Sequence, residues 1–148
     1  MSSEVEAEII KASVTDPLGR EIIIKNKTWT NKILNHGDIN KEKRFGNSHP
    51  EMEGLWTEVV NSLQSPLFIL RDTKLIGYDE DGNELWEPSE NREQYIGVYF
   101  SETDNRLKSI KSIVEHTTKG GELVTTHKFG PHRISKEAGV IYDATKKS

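Results

Sequence analysis

The chain has 148 residues, 33% of them hydrophobic and 30% charged, with a net charge of −4 and no cysteine. That length suits one domain with its own core, and its longest apolar runs, residues 22–24 and 67–70, fall far short of the ~20 residues that span a bilayer. The lack of cysteine excludes a disulfide framework, a thiol nucleophile and a thiolate metal site.

Residues 4–10 alternate between charged and apolar side chains and predict a strand. Thr15-Asp16-Pro17-Leu18-Gly19 carries turn chemistry, and the three isoleucines of residues 21–25 predict a second strand paired with the first. Thr28 can cap a short helix from Trp29 to about Asn35, ended by His36-Gly37. Residues 38–48 are polar and basic and read as a loop. A second helix is predicted after it. Ser48 or His49 caps it, Pro50 suits its first position, and Glu51 and Glu53 favour the positive end of its dipole. Met52, Leu55, Trp56, Val59, Val60 and Leu63 form its apolar stripe, and Pro66 ends it.

The remainder reads as β. Short strands are predicted at 67–70 and 74–78, a tight turn at 79–83, and a returning strand at 84–86. A loop at 88–92 leads to a strand at 95–100, whose Gly97 marks a bulge or a close approach. Strands at 107–116 and 122–129 form a hairpin bent at Gly120-Gly121, and the tail from Gly130 holds one candidate strand at 139–142. The expected fold class is α+β: an N-terminal β-hairpin, two helices and an antiparallel β-meander, in a single domain of residues 1–148.

Charge is segregated along the chain. Residues 1–24 carry −3, residues 25–50 +4, residues 51–104 −10 and residues 105–148 +5. Two basic segments on one face would hold a polyanion, with the acidic middle turned away. The N-terminus is acidic and lacks the apolar core of a signal peptide, so a cytoplasmic site of action is expected.

Five histidines supply the groups that titrate near neutral pH. His36 and His49 flank the basic loop. His49 opens a helix beside Pro50, where an anion can rest on free N–H groups. Strand alternation puts Thr125, His127 and Phe129 on one face, together with Leu123. A rival is a metal held by His36, Asp38 and His49, although that spacing matches no compact ligand motif. No Gly-x-Ser-x-Gly and no glycine-rich phosphate loop is present.

Several segments, taken in order, resemble a known group. They are Trp29-Thr30-Asn31-Lys32-Ile33-Leu34, His49-Pro50-Glu51-Met52, Ser65-Pro66-Leu67-Phe68-Ile69, Tyr95-Ile96-Gly97-Val98-Tyr99-Phe100 and Leu123-Val124-Thr125-Thr126-His127. The pattern is similar to that of the phage barnase–EndoU–colicin–RelE-like (BECR) nucleases of phage, mobile elements and polymorphic toxins. It covers about residues 22–129 and leaves out the N-terminal hairpin and the tail. The resemblance implies a barnase/EndoU-like fold and a metal-independent ribonuclease site without cofactor. It also implies RNA as substrate, an immunity or antitoxin protein as partner, and delivery within a larger protein or virion. His127 stands where the family usually has an aromatic residue.

RNA brings its own nucleophile, the 2′-hydroxyl. Cleavage then needs a base, an acid and cations for the charge on phosphorus. His49 and His127 are the expected acid–base pair, with His36 in reserve and Thr125 as a hydroxyl donor. Arg44, Arg71 and Lys128 are the expected phosphate-binding cations. The alternatives are a non-catalytic binding or structural module of a phage or mobile element, and a toxin that modifies nucleotides or proteins.

Overall fold

The computed structural model describes residues 9–34 and 49–146. The expected strand at 4–8, the basic loop 38–48, His36, Asp38 and Arg44 lie outside the described residues. Among the described residues seven strands form one sheet: Ile10–Thr15 (β1), Glu21–Lys25 (β2), Phe68–Tyr78 (β3), Glu84–Ser101 (β4), Arg106–Thr117 (β5), Gly120–Phe129 (β6) and Val140–Asp143 (β7). Their spatial order is β1-β2-β6-β5-β4-β3-β7. Among the described residues the one α-helix is Trp56–Gln64 (α1). None there is long and apolar enough to cross a membrane.

This overturns the expected α+β fold of two helices and an antiparallel meander, of barnase/EndoU-like type. The sheet is mixed, because β2 joins β6 in parallel through Ile22–Gly121 and Ile23–Glu122. The first expected helix is a single wide turn at Thr28–Ile33, in which the Leu34 N–H bonds the Trp29 carbonyl at 3.0 Å. The second is cut by Gly54, which takes the left-handed φ of +87°. His49-Pro50-Glu51-Met52 therefore leads into a 3₁₀ turn, Pro50–Met52, and α1 begins only at Trp56.

The strands also run longer than their turn-rich sequence suggests. Residues 67–78 hold one strand rather than two, and residues 84–101 form a single strand through Pro88. Irregular pairing absorbs the loop chemistry: residues 89–92 of β4 stand opposite Asp72 alone.

Side chains from α1 and its approach fill one face of the sheet. Met52, Val59 and Leu63 pack with Ile22, Ile24, Tyr95, Ile110, Val114 and Leu123, all essentially inaccessible to solvent. Phe68, Leu70 and Ile96 alternate with those strand positions and build a smaller cluster on the second face. Phe129 and Ile134 pack against it, so the chain after β6 folds across that face.

α1 comes unusually close to β4. A Cβ on Gly97 would lie 2.3 Å from the Ser62 Cβ. The close approach expected at Gly97 is thus a helix seated on its backbone. Ser62 also donates to the Val59 carbonyl at 2.7 Å and reaches Ser112, which bonds Thr126 at 2.8 Å. We expect Gly97→Ala to lower stability by about 1–3 kcal/mol through overpacking. A reduced urea midpoint with an unchanged m-value is the check.

Candidate active site

The β5–β6 hairpin carries an irregularity that decides where its side chains point. From Ser109↔Phe129 to Ile113↔Thr125 the pairing is regular; the next pair is Val114↔Leu123. Val124 is therefore one residue too many in β6, and the strand alternation flips across it. Leu123 and Thr126 both face α1, Thr126 through its bond to Ser112. Thr125, His127 and Phe129 face the other way. The expectation that Leu123 shares their face is corrected by this bulge.

β2 leaves β6 after Glu122, so the edge of residues 123–129 has no strand partner among the described residues. The turns Thr28–Ile33 and Pro50–Met52 lie against β6. The His49 N–H anchors them together by bonding the Ile33 carbonyl at 2.6 Å. Wrapped around that edge, His49 meets His127. Their rings are 4.9 Å apart between centroids and inclined by 32°. Phe129 stands edge-on to His127 at 6.5 Å.

The two imidazoles have different surroundings. His127 Nδ1 lies 2.9 Å from the Lys128 carbonyl, which can only accept. Nδ1 therefore carries the proton, and the neutral ring presents Nε2 as an acceptor. Burial pushes the His127 pKa below its ordinary 6.5, and the charges of Lys111 and His49 push the same way, against the carbonyl bond. Beside His49 is a carboxylate instead: Glu51 Oε2 lies 3.3 Å from Nδ1.

Lys111 is the member that sequence reasoning missed. It pairs directly with His127 across the hairpin and so shares its face. Its ammonium lies 5.4 Å from the Phe129 ring centre and makes no ion pair among the described residues. Burial lowers its pKa; Asp72 opposes the shift and Arg133 adds to it. Only the register of two strands, bulge included, brings Lys111 to His127.

The other expected residues are spread out. Thr125 is on the His127 face, but its hydroxyl is buried and bonds nothing among the described residues. Lys128 pairs with the core residue Ile110, so its side chain leaves β6 on the opposite side from His127. It lines a separate depression of about 410 Å³ with Arg106, Lys108 and His132. Arg71 lies on β3, with Nη1 on the Ser89 and Glu90 carbonyls at 3.2 and 3.4 Å. Among the described residues no cluster of His, Asp and Glu could hold a metal ion. His36 and Asp38, which the rival metal site requires, are not among them.

A second polar cluster lies at the end of the α1 face. Asp16, in the β1–β2 turn, accepts from Tyr95 Oη at 2.6 Å and Arg20 Nε at 2.9 Å. Arg20 also clamps Glu93 in a fork at 2.7 and 3.2 Å. His116 reaches both Tyr95 and Glu93, at 3.0 and 3.2 Å. Burial and the bond to Asp16 drive the Tyr95 pKa far above its ordinary 10, so the phenol stays protonated. Every charged member is met within the cluster, which makes it a clamp between the hairpin turn, β4 and β5. The His49–His127 pair keeps open valences among the described residues and is the better candidate for chemistry.

The clamp has a pH signature. Burial pushes the Glu93 carboxyl up, but hydrogen bonds from His116 and Arg20 outweigh it and leave a pKa of about 2, against an ordinary 4.5. A folded pKa below the unfolded one stabilises the protein fully above about pH 4.5 and is lost as pH falls toward 2. The share at stake is on the order of 3 kcal/mol. Urea midpoints measured from pH 7 down to 2.5 should fall steeply below pH 4.5, and less steeply in Glu93→Gln.

No family model matches the chain, and no curated protein or solved structure matches it, so the likeness to the BECR nucleases rests on the sequence motifs alone.

Proposed function

We propose that the chain is a metal-independent endoribonuclease that cleaves RNA by general acid–base catalysis through the 2′-hydroxyl. The observation that carries this is the His49–His127 pair, 4.9 Å between ring centroids, with Lys111 across the hairpin from His127. Two imidazolium ions this close repel each other, which favours one proton on the pair, hence one acid and one base.

Surroundings assign the roles. His127, whose pKa burial lowers and whose Nε2 is the accepting nitrogen, takes the 2′-hydroxyl proton. His49, whose Nδ1 lies 3.3 Å from the Glu51 carboxylate, protonates the departing 5′-oxygen. The 2′-oxygen bonds to phosphorus as the P–O5′ bond breaks, leaving a 2′,3′-cyclic phosphate and a free 5′-hydroxyl. Lys111 opposes the negative charge that builds on the phosphoryl oxygens.

Purified protein should cut RNA in the presence of EDTA, leave DNA intact and release 2′,3′-cyclic phosphate ends. His49→Ala and His127→Ala should each lower the rate by roughly 10²–10⁴-fold. Because His127 stays neutral below its ordinary pKa, the acid limb of kcat/KM should fall below pH 6.5. Activity abolished by EDTA and restored by Mg²⁺ would replace this mechanism with a metal-dependent one. RNA bound and left intact would favour a binding module.

A further inference from the structure

Beside the histidine pair, between the sheet and the chain that follows β6, lies a cleft of about 350 Å³, within the range of ligand sites. Its walls bear Arg71, Lys111 and Arg133, with Glu137 as the opposing carboxylate. Trp86 of β4, a residue 54% exposed, lines it as well. Asp72 also acts on Lys111, but its carboxylate is engaged by Gln94 Nε2 at 2.8 Å.

Lys111 belongs to both places. It faces this cleft, and its charge is felt at His127. Arg133 in turn is felt at Lys111. Positive charge therefore extends from the histidines through Lys111 to Arg133 and Arg71. Arg71 spends Nη1 on two backbone carbonyls, and its other N–H groups meet no acceptor among the described residues.

We propose that this cleft binds single-stranded RNA adjoining the scissile phosphate, with one base stacked on Trp86 and phosphates on Lys111, Arg133 and Arg71. The identity of the strand rests on the ribonuclease proposal. The choice of single strand rests on the cleft: an exposed indole beside cations suits an unpaired base with its phosphate, whereas a duplex hides its base faces. Arg133 and Trp86 are exposed, so neither is expected to be needed for folding.

The test is equilibrium binding of a 2′-O-methyl hexanucleotide, which carries no attacking hydroxyl, followed by fluorescence anisotropy. Trp86→Ala and Arg133→Gln should each weaken binding about tenfold, and Arg133→Gln should flatten the dependence of log K on log salt by about 0.7. Lys119→Gln, at the far β5–β6 turn, should bind as the unaltered protein does. Duplex RNA of the same sequence should bind more weakly. Equal affinity of both cleft variants and the unaltered protein, or a preference for duplex, would overturn the proposal. RNA cleavage is measured separately. Cleavage with unaltered hexanucleotide binding in the variants removes the cleft and keeps the nuclease. Variant-sensitive binding without cleavage does the reverse.

Discussion

Val124 is one residue more in β6 than β5 has to match it, and the candidate site depends on that surplus. With strict alternation, Leu123 and His127 would share a face. Either Leu123 would leave the α1 core or an imidazole would enter it. The bulge lets both preferences hold: Leu123 is buried with Val114, while Thr126 takes the inward position and completes its bond to Ser112. His127 is turned outward onto the face that carries Lys111. The early departure of β2 from β6 does the rest, opening the edge around which His49 approaches.

The chain keeps two kinds of polar cluster, and their chemistry separates them. Around Tyr95 each charged side chain meets an opposite charge, and burying these charges is tolerable because they pair so completely. Losing one partner there leaves a charge without compensation inside the fold. Around His127 the pairing is incomplete. Nε2 of His127 is an acceptor by its tautomer, and among the described residues Lys111 makes no ion pair and the Thr125 hydroxyl bonds nothing. Open valences beside a depressed imidazole pKa mark this edge as the candidate for chemistry.

Local sequence conveyed some of this and not the rest. The β5–β6 hairpin, the turn at Asp16 and the tight contact at Gly97 follow from short-range chemistry, and the structure has all three. His49 and His127 could be singled out by residue type and position. The helices could not be read correctly, because Gly54 breaks an apolar stripe that otherwise keeps helical spacing. Parallel pairing of β2 with β6 involves residues nearly a hundred positions apart and leaves no local trace. Lys111, Arg20 and Glu93 were invisible for the same reason: each matters through a register that neighbouring residues do not encode. Strand alternation alone put Leu123 with His127, and no composition signal marks Val124 as the bulge.

The most direct measurement is the NMR titration of the His49 and His127 ring protons in the unaltered protein and in His49→Gln and His127→Gln. A shared site predicts that His127 titrates below 6.5 and moves upward when His49 is replaced. Two independent curves at ordinary values, indifferent to replacement of the other ring, would contradict an acid–base pair at this edge of the sheet.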